Sequence, residues 1–541
     1  MIGQEVEGLQ TVQQTAFKDW LTWREQGFTS LPLIAKRPLA IGEARPASWE
    51  RAWQTGSPYA FVLESGKDGR YTYLGLRPAS VIRGKSLSAE AFDLAIADGS
   101  KTVYTDQPPL EAVRSWMGGR RAPRVPDAPK WTGGCVGFWS YDVIRTIERL
   151  PELASDDLGL PDYLFMRMDE LWIVDHQENR LYIAVQTAIT GDESEAQLES
   201  LYDAACESVE RLSQQWAQFT SGAAAEQTEA LKRSRVEFME DQTLQIDVEA
   251  VKGIESPFAK EAYKAAVARI REYIAAGDVF QVNLSQRQSR NVKTSPDELY
   301  EWLRLFNPSP YMGYLSCPDF QLVSASPELL VELQNGKLAT RPIAGTRRRG
   351  RTEEEDRQMA EELRSNEKER AEHIMLVDLE RNDLGRISKF GSVHVEELMV
   401  IEYYSHVMHL VSQVEGTIAE GKDAYDAIGA TFPGGTITGA PKIRTMEIIE
   451  ELEPTRRGPY TGSLGWIDYN GDMEFNIIIR TMLVKDEVVH IQAGAGVVID
   501  SEPEREYRES LNKAKALWKA IQYSEQWAER SDVLAKRGTR E

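Results

Sequence analysis

The sequence predicts an α+β fold in which two β-sheet layers pack face to face with helices outside. Two observations carry the expectation. Runs of alternating apolar and polar residues, bounded by turn residues, recur through both halves of the chain. Amphipathic helical stretches stand among them, and 541 residues with 42% hydrophobic content supply a core large enough for two or more domains.

Residues 1–28 read as a short helical N-terminal extension rich in Gln, Glu and Trp. A β-rich lobe follows over 29–220. SPYAFVLESGKDGRYTYLGLRPASVIRGK alternates around a Gly-Lys-Asp-Gly turn, and LWIVDHQENRLYIAVQT is a second hairpin, with His176 as a turn residue. Between them WTGGCVGFWSYDVIRTIE sets Gly133, Gly134 and Gly137 beside a strand, and a helix from about 193 to 219 closes the lobe. Residues 221–257 are polar and read as a linker.

The catalytic half spans 258–525. Tyr263, Val267, Ile270 and Ile274 make one apolar helical stripe that ends at Gly277, a left-handed cap. VFQVNLSQRQS, QLVSASPELLVEL, KLATRPIAGTRRRG, GSLGWIDY and MEFNIIIRTMLV are expected strands. GSVHVEELMVIEYYSHVMHLVSQVEGTI is a strand pair carrying His406 and His409, which face opposite sides. The helix of APKIRTMEIIEELEP opens near Pro441, and residues 526–541 form a polar tail.

Charge and cysteines exclude several classes. A net charge of −22 argues against nucleic acid or an anionic membrane as the main partner. Cys135, Cys206 and Cys317 are scattered without metal spacing, as in a reducing compartment. The N-terminus has no leader pattern and no apolar run approaches a membrane span, so a cytoplasmic location is expected. GPYTGSLG and GGTITGAPK lack the spacing of a phosphate loop.

Two carboxylate pairs stand out. Glu369 and Glu372 lie three apart at the head of an apolar run, and Glu506 and Glu509 repeat that spacing near the C-terminus. Such pairs share a helix face, and four carboxylates suit Mg²⁺, although solvated helix faces are the plainer reading of spacing alone.

The surrounding motifs change that balance. RPIAGT, NEKERAEHIMLVDLERNDLGR, YYSHVMHLVS, FPGGTITGAPKIRTMEIIEELEP, IQAGAGVVIDSEPEREYRESLNKA and GDVFQVNLSQR resemble the chorismate-utilising enzymes. The resemblance runs from about 258 to 522 and reaches FVLESGKDGRYTYLGL and GGCVGFWSYD in the first lobe, where it points to the amine-transferring members. It implies an anthranilate/aminodeoxychorismate synthase-like fold and a Mg²⁺ ion held by Glu369, Glu372, Glu506 and Glu509. It sets Glu328 beside the ring hydroxyl as a proton donor and His409 over the ring as acid or base, with His406 structural. Tyr460 and Arg480 match the positions that bind the enolpyruvyl carboxylate. Gly494 and Gly496 admit an anion to the backbone, and Lys513 can neutralise a carboxylate. Thr346 and Thr436 offer hydroxyls, with Gly345 and Gly435 giving them room and Ala344 at a substrate-binding position beside them, and the helix opening at Lys442 adds a positive dipole end.

Isochorismate and salicylate synthases place a lysine where this chain has Gln281, which cannot activate water, so the resemblance implies ammonia as nucleophile. No glutaminase domain is visible, so a separate glutaminase subunit is the implied partner. Ala344 in PIAGT is the anthranilate synthase form, whereas FQVNLSQR, PGGTITGAPK and MEIIEELEPTRRGPYTGSLGW look more like the aminodeoxychorismate type, which is the reading preferred. Leu63, Glu64 and Ser65, with Asn307, Pro308, Ser309, Pro310, Tyr311 and Met312, match a tryptophan pocket, serving feedback, structure or neither. A non-catalytic subunit of the same fold would show damage at the metal or anion residues, and Glu369, Glu372, Glu506, Glu509, Arg480, Lys513 and His409 all match.

Overall fold

Strands from both halves of the chain interleave in two large antiparallel sheets. The computed structural model describes residues 11–40, 43–66, 69–94, 101–220, 223–242, 244–404 and 407–538, without the side chains of 223–225 and 531–538. His406, two turn residues of the first hairpin and the first ten residues lie outside that description.

One sheet runs from the strands of 12–38 through Arg180–Ala188, Glu170–Asp175, Tyr71–Gly75 and Ala60–Glu64. It continues with Tyr311–Ser316, Gln321–Ser326, Thr481–Lys485, Val488–Val497, Gln281–Asn291 and Gly439–Ala440. The join between the halves is an ordinary ladder, with Met312 opposite Glu64 and Gly313 opposite Leu63. In the second sheet Ser463–Asp468 pairs with Gly134–Trp139 in the same way.

The sheets meet through alternating side chains, as period-two strands require. Phe61 points into the layer between the sheets while its neighbour Val62 points outward, and Trp466 and Ile467 divide likewise. In the middle layer Trp131 stacks on Trp466 with ring centroids 5.5 Å apart. The helices Glu195–Thr220, Lys260–Ala276, Pro296–Phe306 and Pro503–Gly538 cover the outside of the first sheet. Pro109–Trp116, Ala424–Thr431 and Glu367–Gly385 cover the second. The expected α+β sandwich with outer helices is the architecture found.

Some elements differ from expectation. The polar stretch 221–257 carries the helix Ala223–Asp241, anchored by buried Phe238 and Arg235, followed by buried Ile246 and Val248. A few well-spaced apolar residues suffice to dock a helix whose exposed face is polar. The tail also continues as helix, to Gly538.

Two expected strands are each broken, and both breaks matter. QLVSASPELLVEL divides into Gln321–Ser326 in the first sheet and Leu329–Gln334 in the second. MEFNIIIRTMLV divides into Met473–Ile477 in the second and Thr481–Lys485 in the first. The chain thus steps between layers at Glu328 and again at Arg480, side by side. Ala325 N–H donates to the Arg480 carbonyl (3.1 Å) and Ile477 N–H to the Glu328 carbonyl (3.0 Å). Arg480 adopts φ 51°, a left-handed turn that unbroken strand periodicity does not announce.

Candidate active site

The two crossings bring an acid and a cation to one seam. Glu328 is buried, and burial pushes its carboxyl up to about 7 although the Thr436 hydroxyl, the Ile343 N–H and Lys513 oppose the rise. Burial alone holds the Arg480 guanidinium below its usual value, and it has no carboxylate partner among the described residues. Arg480 is half-buried, and a partly desolvated guanidinium without a counter-ion favours an anion.

His409 lies on the strand Val407–Thr417, opposite Thr346 on Ile343–Arg348. A bulge at Gly345 (φ 64°) turns the backbone so that the Gly345 carbonyl reaches His409 Nδ1 (3.2 Å), with Thr346 Oγ1 at 3.1 Å. Nδ1–H donation to that carbonyl leaves the Nε2 lone pair free. Burial first, then nearby Arg480, lowers the imidazole below its ordinary value, so His409 is neutral at pH 7. A side chain on Gly345 would meet Leu363 Cδ1 at 2.8 Å and Glu369 Oε2 at 3.0 Å.

Glu369 and Glu372 share one face of the helix Glu367–Gly385, which Asn366 caps through the Glu369 N–H (3.0 Å). Glu369 pairs with Arg347 Nη1 at 3.1 Å. Glu372 accepts from Gln281 Nε2 at 2.9 Å, and burial first, then Glu369 among others, raises its carboxyl. Glu506, on Pro503–Gly538, is raised by burial and by Glu509, while Glu509 is exposed and pairs with Lys513 (3.0 Å). Lys513 acts on Glu328, Glu372 and Glu506 alike, and Lys368 on the two glutamates of opposite helices, so the carboxylate pairs border one region. The four do not close into one coordination sphere. Among the described residues the one group of three or more such side chains whose ligand atoms lie within 4.8 Å of one another is His394, Glu396 and Glu415, on the outer strand pair.

The remaining expected residues lie on other elements of the same half of the chain. Gly494 and Gly496 lie opposite Ser285 and Asn283. Tyr460 is half-buried under the Arg457 guanidinium, 5.6 Å from its ring, and burial pushes its phenol up. Gly435 admits the helix Glu367–Gly385 closely, since a side chain there would strike Leu379 Cδ2 at 2.1 Å. Ala344 faces no lysine role of its own and pairs with Leu410. Lys442 binds Asp383 Oδ2 at 2.5 Å and the Thr431 carbonyl at 3.2 Å, so its charge is already answered.

Three participants were missed. Arg347 on Glu369, the buried carboxyl of Glu380 and the pair Asp383–Lys442 all sit in quoted motifs, but the two ion pairs join residues tens of positions apart and the burial of Glu380 comes from the packed helix. Burial and its neighbour Asp383 raise Glu380.

The matching tryptophan-pocket segments do meet. Leu63 and Glu64 lie on a strand paired with that of Tyr311 and Met312, Gly66 N–H donates to Ser309 O (2.9 Å), and a cavity of about 150 Å³ opens between Glu64, Ser65, Met312 and Arg304. Within it Glu64 is held by Arg304 Nε (2.9 Å) and the Tyr300 hydroxyl (2.7 Å).

Residues 59–519 match the family described as chorismate binding enzyme. The chain belongs to that family. Within it, the chain is 47% identical to aminodeoxychorismate synthase component 1 of Bacillus subtilis, over 86% of this chain and 92% of that one. It is 44% identical to anthranilate synthase component 1 of Thermus thermophilus, over 87% and 93%. The crystal structure of anthranilate synthase component I from Streptococcus pneumoniae superposes with a TM-score of 0.66 at 33% identity, covering 83% of this chain and 92% of that one. The menaquinone-specific isochorismate synthase of Escherichia coli shares the fold at a TM-score of 0.60 and 17% identity, covering 94% and 99%. Among the described residues of this chorismate-binding enzyme, no helix is long and apolar enough to cross a membrane.

Proposed function

We propose that this chorismate-binding enzyme is the large component of an aminodeoxychorismate synthase, replacing the ring hydroxyl of chorismate at C4 with ammonia. The observation that supports the reading is the seam itself, where a buried carboxyl pushed up to about 7 and a guanidinium without a carboxylate partner among the described residues ride on two hydrogen-bonded backbone segments. Arg480, with Tyr460, would take the enolpyruvyl carboxylate, fixing the substrate so that Glu328 faces the leaving hydroxyl. Glu328 donates its proton as the C4–O bond breaks, and the hydroxyl leaves as water. The nitrogen lone pair forms the new C–N bond, and the resulting ammonium returns one proton to the Glu328 carboxylate. His409, whose Nδ1 is engaged by the Gly345 carbonyl, would pass that proton through its free Nε2.

Glu369, Glu372, Glu506 and Glu509 would hold Mg²⁺. Hard oxygen donors suit it, and the raised carboxyls of Glu372 and Glu506 beside like charges are those of a donor set that a cation relieves. Bound there, Mg²⁺ supplies charge neutralisation and Lewis acidity to the ring carboxylate. A glutaminase subunit would supply the ammonia, in keeping with the component naming of the relatives.

Anthranilate formation is the second reading, favoured by Ala344, which offers no amine for covalent attack on the ring. Purified protein given chorismate, Mg²⁺ and ammonium salt at alkaline pH decides between them. An aminated chorismate that yields 4-aminobenzoate only after a lyase is added supports the first; anthranilate with pyruvate replaces it with the second.

A further inference from the structure

The four glutamates of the two helices are of two kinds. Glu372 and Glu506 are half-buried and form no ion pair among the described residues. Glu369 and Glu509 are each held by a protein cation, Arg347 at 3.1 Å and Lys513 at 3.0 Å. The Lys513 pair lies along one helix with side chains 39% and 52% exposed, where water weakens it. The Arg347 pair joins a strand to a helix with side chains 21% and 24% exposed, and is the firmer hold.

Both oxygens of Glu369 are turned to the strand Ile343–Arg348. Oε1 accepts from Arg347 Nη1, and Oε2 lies where a Cβ on Gly345 would come within 3.0 Å of it. A glycine at 345 thus leaves the carboxylate room to lean on the strand. Arg347 has two other holds. Its Nη1 also donates to the Thr346 carbonyl (2.9 Å), and its Nε to Glu362 Oε1 (3.0 Å) on the neighbouring helix Glu353–Ser365. A guanidinium that lets go of Glu369 keeps both, so its charge stays answered.

Resting on the reading that the four glutamates hold Mg²⁺, we infer that Arg347 is a positioning residue that sets the affinity of that site: a lock on Glu369 that a divalent cation must open, with Glu362 as the partner that receives the released guanidinium. While Arg347 holds Glu369 on the strand, that carboxylate is withheld from the other three. Arg347 and Mg²⁺ therefore compete for one carboxylate, and Glu362 decides how readily the arginine yields. Every charge stays paired on both sides of the exchange, which keeps it reversible.

Isothermal titration calorimetry of the full chain with MgCl₂ reads the lock without turnover. Arg347→Met, which keeps the apolar stem and removes the charge, should bind Mg²⁺ about fivefold more tightly than the parent. Glu362→Gln should bind it about threefold more weakly, because the arginine then clings to Glu369. The double variant should match Arg347→Met alone, since Glu362 acts only through the arginine. Arg348→Met removes a neighbouring cation that pairs with Glu355 instead, and should stay within about twofold of the parent. An unaltered Mg²⁺ Kd in Arg347→Met overturns the lock. Equal tightening by Arg348→Met, or additive shifts in the double variant, reduces the effect to general charge and overturns it as well. Should Arg347→Met not fold, the contrast between Glu362→Gln and Glu361→Gln, an exposed neighbour, carries the test, and equal Kd values for those two overturn the lock. Absence of Mg²⁺ binding by the parent overturns the metal assignment itself, and is seen before any variant is made.

Discussion

Gln281 Nε2 donates to Glu372 Oε1 across 2.9 Å, tying a strand of the first sheet to the helix that carries two of the four clustered glutamates. The bond orients Glu372 while burial and Glu369 keep its carboxyl raised. Glu372→Gln keeps size and hydrogen-bonding capacity but removes the charge. Turnover should fall by more than about a thousandfold while the circular dichroism spectrum and Tm stay near the parent's. Full activity in this variant removes Glu372 from the metal set.

Chelation should act on the same residues. Dialysis against EDTA is expected to abolish product formation, and added Mg²⁺ to restore it, with a small rise in Tm on rebinding. Turnover that survives exhaustive chelation contradicts the assignment.

Glu328 sets a pH signature. It must be protonated to donate, so kcat at constant free ammonia should be full below about 7 and fall as pH rises through that value. Glu328→Gln should lower kcat by about 10²–10⁴-fold and flatten this limb. Stability moves in the same direction. The folded value lies above the ordinary 4.5, so the stabilising contribution is complete below 4.5 and is lost as pH rises to about 7. The loss is on the order of 3 kcal/mol. Calorimetry should therefore find Glu328→Gln more stable than the parent at pH 8 and closely matched near pH 4.5.

Arg480 offers a separation of binding from folding. Arg480→Ala should raise chorismate KM by about a hundredfold. It should leave Tm unchanged or higher, because the half-buried guanidinium has no carboxylate partner among the described residues. A fall in Tm with an unchanged KM would make the residue structural.

Local patterns were legible where the chain obeys one period. The stripe of Tyr263, Val267 and Ile270 became the helix Lys260–Ala276, with Gly277 at φ 85° as its cap. The glutamate spacing was readable for the same reason. What one period cannot express is a strand that leaves its sheet. Both QLVSASPELLVEL and MEFNIIIRTMLV keep an apolar texture through the layer change, so Glu328 and Arg480 looked like mid-strand residues. Long-range partners were equally hidden, and nothing near Gln281 in sequence names Glu372, ninety-one positions on. The helix Ala223–Asp241 was concealed by its polar exposed face.

The paired layer changes at Glu328 and Arg480 have a mechanical side. Each residue rides on a segment anchored at one end in one sheet and at the other end in its neighbour, and two backbone hydrogen bonds clasp the segments together. A substitution that weakens either bond of that clasp therefore reaches both residues, so the acid and the guanidinium answer together to any change at the boundary between the layers.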